Sequence, residues 1–295
     1  MYCEYYGLRE RPFNITSDPA FFFLSSSHRE ALSHLVYGIN ERKGVIVISG
    51  EIGTGKTTLC RVFLDSIAGK YITQEKSPEA SPKAIFLDQT MQKNVKTAFI
   101  INPNFSTKEL LEAIVADFGI SVSKKTKLSL VEQLNRFLLE ETARGSNAVL
   151  IVDEAQNLKP NQLEEIRLLS NLETDKDKLL QIVLVGQPEL RFKLNLESLA
   201  QLQQRVAVRY HIRPLGKGEI KEYIDHRLKI AGSSLDRIQF TDEAQAIIYN
   251  YSQGVPRLVN IICDRCLLAG FAAQVNTIDG EITRKCIEEL NEHYL

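Results

Sequence analysis

The β-branched run Val45-Ile46-Val47-Ile48 leads through Ser49 into Gly50-Glu51-Ile52-Gly53-Thr54-Gly55-Lys56-Thr57. A continuous apolar run of this kind reads as a strand buried on both faces, as in a parallel sheet. Gly50, Gly53 and Gly55 open backbone conformations that other residues resist. Successive N–H groups can then point inward at a phosphate, and the helix that follows adds its positive N-terminal end. Lys56 in such a loop reaches the β- and γ-phosphates, and the Thr57 hydroxyl ligates magnesium. The expected cradle is Gly50, Glu51, Ile52, Gly53, Thr54, Gly55, Lys56, Thr57 and Thr58. An ordinary glycine turn with a chance lysine accounts for the same letters unless a second motif supports the first.

That second motif stands about a hundred residues on, where the apolar run 148–152 ends in Asp153-Glu154. Carboxylates at a strand end lie on the ligand-binding edge of an open α/β sheet. Asp153 is expected to hold magnesium through water, and Glu154 to orient and polarise an attacking water, because phosphoryl transfer asks a protein mainly for positioning and charge stabilisation. Positive charge on the γ-phosphate completes such a site. Arg205, Arg209, Arg213 and Arg257 are the candidates, with ion pairing or solvation as the plain alternative for each. Arg209 shares a strand face with Ala207 and His211. Arg257 closes Gly254-Val255-Pro256-Arg257, a turn entering a helix.

Further strand runs fall at 97–101, 148–152, 181–185 and 206–212, the last alternating, with gaps long enough for helical crossovers. The fold expected is α/β: a P-loop three-layer αβα domain with a parallel five-stranded sheet. Leu130, Leu134, Phe137 and Leu138 line one face of a helix over 130–141. A helix over 28–40 has Ser27 as its expected N-cap. Residues 70–94 include a polar, proline-bearing stretch that reads as a surface insertion. After Pro214 the pattern is helical, with Ile220, Tyr223, Ile224 and Leu228 on one face and Ala244, Ile247, Ile248 and Tyr251 on another behind Thr241. The division expected is an aromatic segment at 1–27 packing on the α/β core, the core at 28–214, and an all-helical lid at 215–295.

A formal net charge of -1 over 295 residues provides no global field toward nucleic acid or anionic lipid. The most apolar stretch, 258–275, carries Asp264 and Arg265 at its centre, so no transmembrane helix is expected. No basic n-region and apolar h-region open the chain, and five cysteines suit a reducing compartment, so a cytoplasmic location is expected. Cys263 and Cys266 form a CxxC at helical spacing, with no second Cys or His pair, and read as packing residues.

The order of P-loop, Asp153-Glu154, Gly186-Gln187-Pro188-Glu189-Leu190, Gln204-Arg205 and Gly254-Val255-Pro256-Arg257 resembles an AAA+ ATPase. Tyr6-Gly7-Leu8, Arg11-Pro12-Phe13, Ser27-His28-Arg29-Glu30-Ala31-Leu32 and the Asp153-Glu154-Ala155-Gln156 box resemble the ExeA/GspA general secretion pathway ATPases and the related MshM pilus-biogenesis ATPases. The resemblance implies ATP and magnesium as cofactors and hydrolysis of ATP. It also implies Gln187 at the sensor 1 position, Arg205 as an arginine finger acting in trans, Arg257 as sensor 2, and a ring-like homo-oligomer. By the same likeness Phe13, His28 and Arg29 are candidates to cover the adenine, with core packing as the equal alternative. Many members continue into a transmembrane helix and a periplasmic peptidoglycan-binding domain, before which this chain stops. The implied role is support of type II secretion or type IV pilus assembly, with recruitment to the inner membrane by a partner. The alternative is a DNA-activated transposition regulator similar to TnsC, TniB and MuB, against which the near-neutral composition leans.

Overall fold

The computed structural model describes residues 2–69, 94–122, 126–174, 177–233 and 237–292. The insertion expected at 70–94 therefore lies outside the described residues except for Asn94. The chain divides into two compact units: one of His28–Gly50 and Leu59–Ile212, the other of Met1–Ser27, Glu51–Thr58 and Arg213–Leu295.

The first unit is built on a five-stranded sheet in the order β2-β3-β4-β1-β5, formed by β1 (Val45–Gly50), β2 (Val95–Ile100), β3 (Asn147–Val152), β4 (Gln181–Gly186) and β5 (Val206–Ile212). Every pairing is parallel, with Val47 opposite Leu184 on one side and Arg209 on the other. Position in the sheet follows from composition. The strands β1, β3 and β4 are buried at every residue and lie inside, whereas β2 and β5 mix buried with exposed positions and form the edges. Ile101, expected in β2, falls beyond it and is exposed, while Val95 and Lys96 extend the strand at its start.

Helices cover both faces of this sheet. Helix Thr107–Asp117 starts at a reciprocal capping box between Ser106 and Glu109, and buries Leu110, Leu111, Ile114 and Val115. Helix Lys127–Ala143 starts at Thr126 and buries Leu130, Leu134 and Leu138, with Phe137 packed beside them. These side chains meet Val45, Val47, Leu150, Val152 and Leu184 in one core, where truncating a leucine to alanine costs about 2–5 kcal/mol. On the opposite face, Gly38 of helix Ser26–Asn40 lies against Ile46. That helix begins at Ser26, so Ser27 is not its N-cap. The Ser27 hydroxyl instead accepts the main-chain N–H of Arg213 at 2.9 Å.

The second unit has its own core, made by helices Glu219–Ile230, Asp242–Ser252, Pro256–Ala272 and Gly280–Glu292. Thr241 caps the second of these, accepting from the N–H of Ala244 at 3.2 Å. The region is not wholly helical, because Gln239–Phe240 and Thr277–Ile278 pair as a two-residue parallel ladder. Two residues are too few to show a period.

The N-terminal aromatic segment packs in this unit, with Tyr2, Tyr6, Leu8, Phe13 and Phe21 buried in its core. Tyr2 donates to Asp264 Oδ1 at 2.5 Å, and Tyr6 donates to the carbonyl of Val275 at 3.0 Å. Burial, then the Asp264 carboxylate, pushes the Tyr2 phenol up, and burial raises Tyr6 to about 12. Phe13 lies edge-on to Phe240. Arg227 ties the segment down: its Nε donates to the carbonyl of Pro12 at 2.5 Å and its Nη2 to that of Asn14 at 3.0 Å, with the guanidinium 4.9 Å from the centre of the Phe21 ring.

Cys263 and Cys266 are buried in helix Pro256–Ala272, as packing residues are, and burial raises the Cys263 thiol. Among the described residues no helix is long and apolar enough to cross a membrane.

Candidate functional site: the P-loop and the carboxylates after β3

Beyond Gly50 the chain turns through Gly53 (φ 80°) and Gly55 (φ 88°), both left-handed, and enters helix Lys56–Ile67. The carbonyl oxygen of Glu51 gathers the loop. It accepts the Thr54 hydroxyl at 2.8 Å, the Thr54 N–H at 3.3 Å and the Lys56 ammonium at 2.8 Å. Thr54 and Lys56 are buried, Gly53, Gly55, Thr57 and Thr58 are half-buried, and Glu51 and Ile52 are exposed. The first N–H groups of the helix have no intrahelical acceptor and are the donors that an anion takes.

Gly53 is required twice. Its backbone is left-handed, and a Cβ there would lie 2.6 Å from Cβ of Arg257 and 3.3 Å from Cγ1 of Val255. The N–H of Arg257 donates to the Gly53 carbonyl at 3.3 Å. The sequence-predicted Arg257 thus stands on the P-loop through its main chain, with its side chain exposed at the start of helix Pro256–Ala272. Gly254, three residues earlier, is also left-handed (φ 75°), and a Cβ on it would meet the Leu215 carbonyl oxygen at 2.0 Å.

In the α/β unit, Asp153 and Glu154 follow β3 and Gln187 follows β4. Because β4 lies between β3 and β1, three parallel strands deliver Asp153, Gln187 and Gly50 to one edge of the sheet. Asp153 is 1% exposed, and its N–H donates to the Ile100 carbonyl at 2.9 Å. Its Oδ1 accepts the N–H of Glu154 at 2.9 Å. The Glu154 carboxylate accepts from the side-chain amides of Gln156 and Gln187. The sequence marks Gln156 only as part of the Asp153-Glu154-Ala155-Gln156 box, which does not reveal its partners. Lys193, missed altogether, donates to the carbonyls of Gln156 at 2.5 Å and Leu158 at 2.8 Å.

Arg205 is half-buried directly before β5, and Arg213 is exposed after it. Arg209 donates to the Gln203 carbonyl at 3.3 Å and, with Val47, Ser49, Arg191 and His211, lines a cavity of about 180 Å³ on one sheet face. Ser49 Oγ and His211 Nδ1, both of its lining, are 3.0 Å apart. Phe13 and His28 are buried, 1% and 3% exposed, whereas Arg29 is exposed. Phe13 sits where core packing puts it.

Residues 39–194 match the family model described as an AAA domain. Over 292 residues, 98% of this chain, the sequence is 40% identical to general secretion pathway protein A of Aeromonas hydrophila, of which it spans 48%. The chain thus covers about half the length of that relative. Among solved structures, the ORC2 protein of Aeropyrum pernix in its ADPNP-ADP complexes superposes with a TM-score of 0.60 at 18% identity, over 88% of this chain and 67% of that one. Cdc6p of Pyrobaculum aerophilum gives 0.60 at 18% identity, over 88% and 66%. These likenesses bear on the fold, and with the family match they agree with the parallel sheet and helical C-terminal region described above: the chain belongs to the AAA domain family and, within it, is similar to general secretion pathway protein A.

Proposed function

We propose that this protein binds and hydrolyses ATP and uses the cycle to support assembly of a secretion or pilus machine. The observation that carries the reading is the joint presence of a P-loop on β1 and the Asp153-Glu154 pair on β3, whose strands deliver to one sheet edge. Gly50 to Thr58 wrap the phosphates with main-chain N–H groups, and Lys56 supplies the mobile charge. The Thr57 hydroxyl and the Asp153 carboxylate are hard oxygen donors of the kind magnesium takes, and the bound ion neutralises charge on the β- and γ-phosphates. Glu154 orients the attacking water. Gln187 and Arg257 read the γ-phosphate, and Arg205 acts on the nucleotide of a neighbouring copy in a ring-like homo-oligomer. His28 and Arg29 are the side chains proposed beside the adenine. Phe13 contributes there by shaping the helical unit.

General secretion pathway protein A carries its role in its name, and ORC2 was solved with ADPNP and ADP. The first name supports a secretion setting, in which recruitment to the inner membrane by a partner protein is part of the proposal. The test is one titration of ATPase rate and particle mass against nucleotide, with and without duplex DNA. Glu154→Gln is expected to keep ATP binding and slow turnover by about 100-fold or more, the share of a positioned general base. Unchanged turnover in Glu154→Gln, or a particle mass that stays monomeric with ATP, overturns the reading. Stimulation by DNA with steep salt dependence moves the substrate to nucleic acid.

A further inference from the structure

Glu154 carries its carboxylate on a left-handed main chain, φ 52° and ψ 37°. That conformation costs a residue with a side chain about 1–2 kcal/mol, so its surroundings must hold it. Two amides hold one oxygen: Gln156 Nε2 donates to Glu154 Oε2 at 2.5 Å, and Gln187 Nε2 donates to the same atom at 3.3 Å. Neither amide binds Oε1. The other end of the Gln156 amide, Oε1, accepts the main-chain N–H of Gln187 at 3.1 Å. Chemistry fixes which way this amide faces. Turned over, its oxygen would face a carboxylate and its NH2 an N–H, and both attractions would become repulsions.

Gln156 is itself held. The Lys193 ammonium binds its carbonyl, and β4 ends on a residue without a side chain where the amide needs room. A Cβ on Gly186 would lie 2.8 Å from Gln156 Oε1 and 3.3 Å from its main-chain nitrogen.

We infer that Gln156 is a positioning residue for hydrolysis: its amide bridges Glu154 to the end of β4, fixes Oε2, and leaves Oε1 to face the attacking water. The inference rests on the ATPase reading given above. In the step it serves, the water oxygen bonds to the γ-phosphorus while the bond from that phosphorus to the bridging oxygen breaks toward ADP. The proton of the water leaves through Oε1. Any displacement of Gln187, which follows β4 and is proposed to read the γ-phosphate, is passed through the Gln156 amide to the carboxylate.

Gln156→Met keeps the length of the side chain and removes both of its hydrogen bonds. It is expected to lower kcat at least about tenfold, since misplacement by about 1 Å costs up to about 100-fold. The Kd of a fluorescent ATP analogue stays within about twofold, the signature of an interaction that serves turnover rather than binding. Gly186→Ala displaces the same amide from the opposite side and gives the same split between kcat and Kd. The double variant Gln156→Met/Glu154→Gln turns over no more slowly than Glu154→Gln alone, because Gln156 acts only through that carboxylate.

A purely structural role would raise Kd with the loss of rate, or would make the two substitutions additive, and either result overturns the inference. If the wild type hydrolyses ATP and Gln156→Met matches it, this inference fails while the ATPase reading stands. If the wild type binds ATP without turnover, both fail.

Discussion

The main-chain N–H of Arg257 donates to the carbonyl oxygen of Gly53, joining the turn before helix Pro256–Ala272 to the tip of the P-loop. The bond uses backbone on both sides, so it survives changes of the Arg257 side chain but not the arrival of a side chain at Gly53. Gly53→Ala adds a Cβ 2.6 Å from Arg257 Cβ on a backbone at φ 80°, where handedness alone costs about 1–2 kcal/mol. Nucleotide affinity is expected to fall by at least about tenfold, the equivalent of about 1.4 kcal/mol. Titration with a fluorescent nucleotide checks it.

Arg257→Ala should behave differently. Its side chain is exposed, and surface substitutions stay within about 0.5 kcal/mol of wild type in stability, so the thermal midpoint is expected to hold within about 2 °C. Its proposed sensor role predicts a loss of ATPase rate in the same sample. Unchanged hydrolysis, with the melting curve unchanged, would leave the side chain as surface charge.

Gly254→Ala is expected to be the most damaging single-methyl change in the helical unit. The added Cβ would sit 2.0 Å from the Leu215 carbonyl oxygen, and the same turn holds the Gly254 carbonyl to the Leu215 N–H at 2.9 Å. Backbone on both sides gives no flexible end to swing away. We expect a loss above about 3 kcal/mol, in the range of strain at a special backbone position, read by urea denaturation.

Arg227→Met removes three donors from a buried site. The carbonyls of Pro12 and Asn14 lose a charged partner, at about 1.5–3 kcal/mol for each hydrogen bond to a charged group, and the Tyr223 hydroxyl, which itself donates to Asn260, loses the guanidinium that donates to it. The expected result is a drop of about 3 kcal/mol with early proteolytic release of residues 2–27, followed by mass spectrometry of the fragments. Resistance of that segment equal to wild type would show that its aromatic side chains hold it without the guanidinium.

The thiols give a test of packing. Burial raises Cys263; the Cys286 contact and burial raise Cys266, and both are inside the helical core. Reactivity follows thiolate content and exposure. Alkylation at neutral pH should label the half-buried Cys3 first and reach Cys263 and Cys266 only after unfolding, as peptide mapping can show.

What was legible in the sequence had short-range causes. The strands β1, β3 and β4 announce themselves because a strand buried on both faces is a continuous apolar run, and the P-loop and Asp153-Glu154 because their chemistry is packed into adjacent residues. The edge strand β2 starts two residues before the run that marks it because Lys96, charged and exposed, cuts Val95 off from that run. The destination of residues 2–27 was not legible, since it depends on Asp264, Arg227 and Phe240, more than two hundred residues away. The role inferred for Gln156 was hidden in the same way. Its spacing from Glu154 is local, but the N–H that orients it belongs to Gln187, 31 residues on.

The P-loop residues Glu51–Thr58 cluster with the helical unit rather than with the strand from which they emerge. Thermodynamic reciprocity follows from the shared backbone bond at Gly53 and Arg257. A ligand that reshapes the loop and thereby weakens or strengthens this bond shifts the Gly254–Arg257 turn, and a binder that prefers one form of that turn changes the affinity for the ligand by the same factor. A protein that captured helix Pro256–Ala272 in one form of that turn would therefore act on a ligand of the loop without touching it.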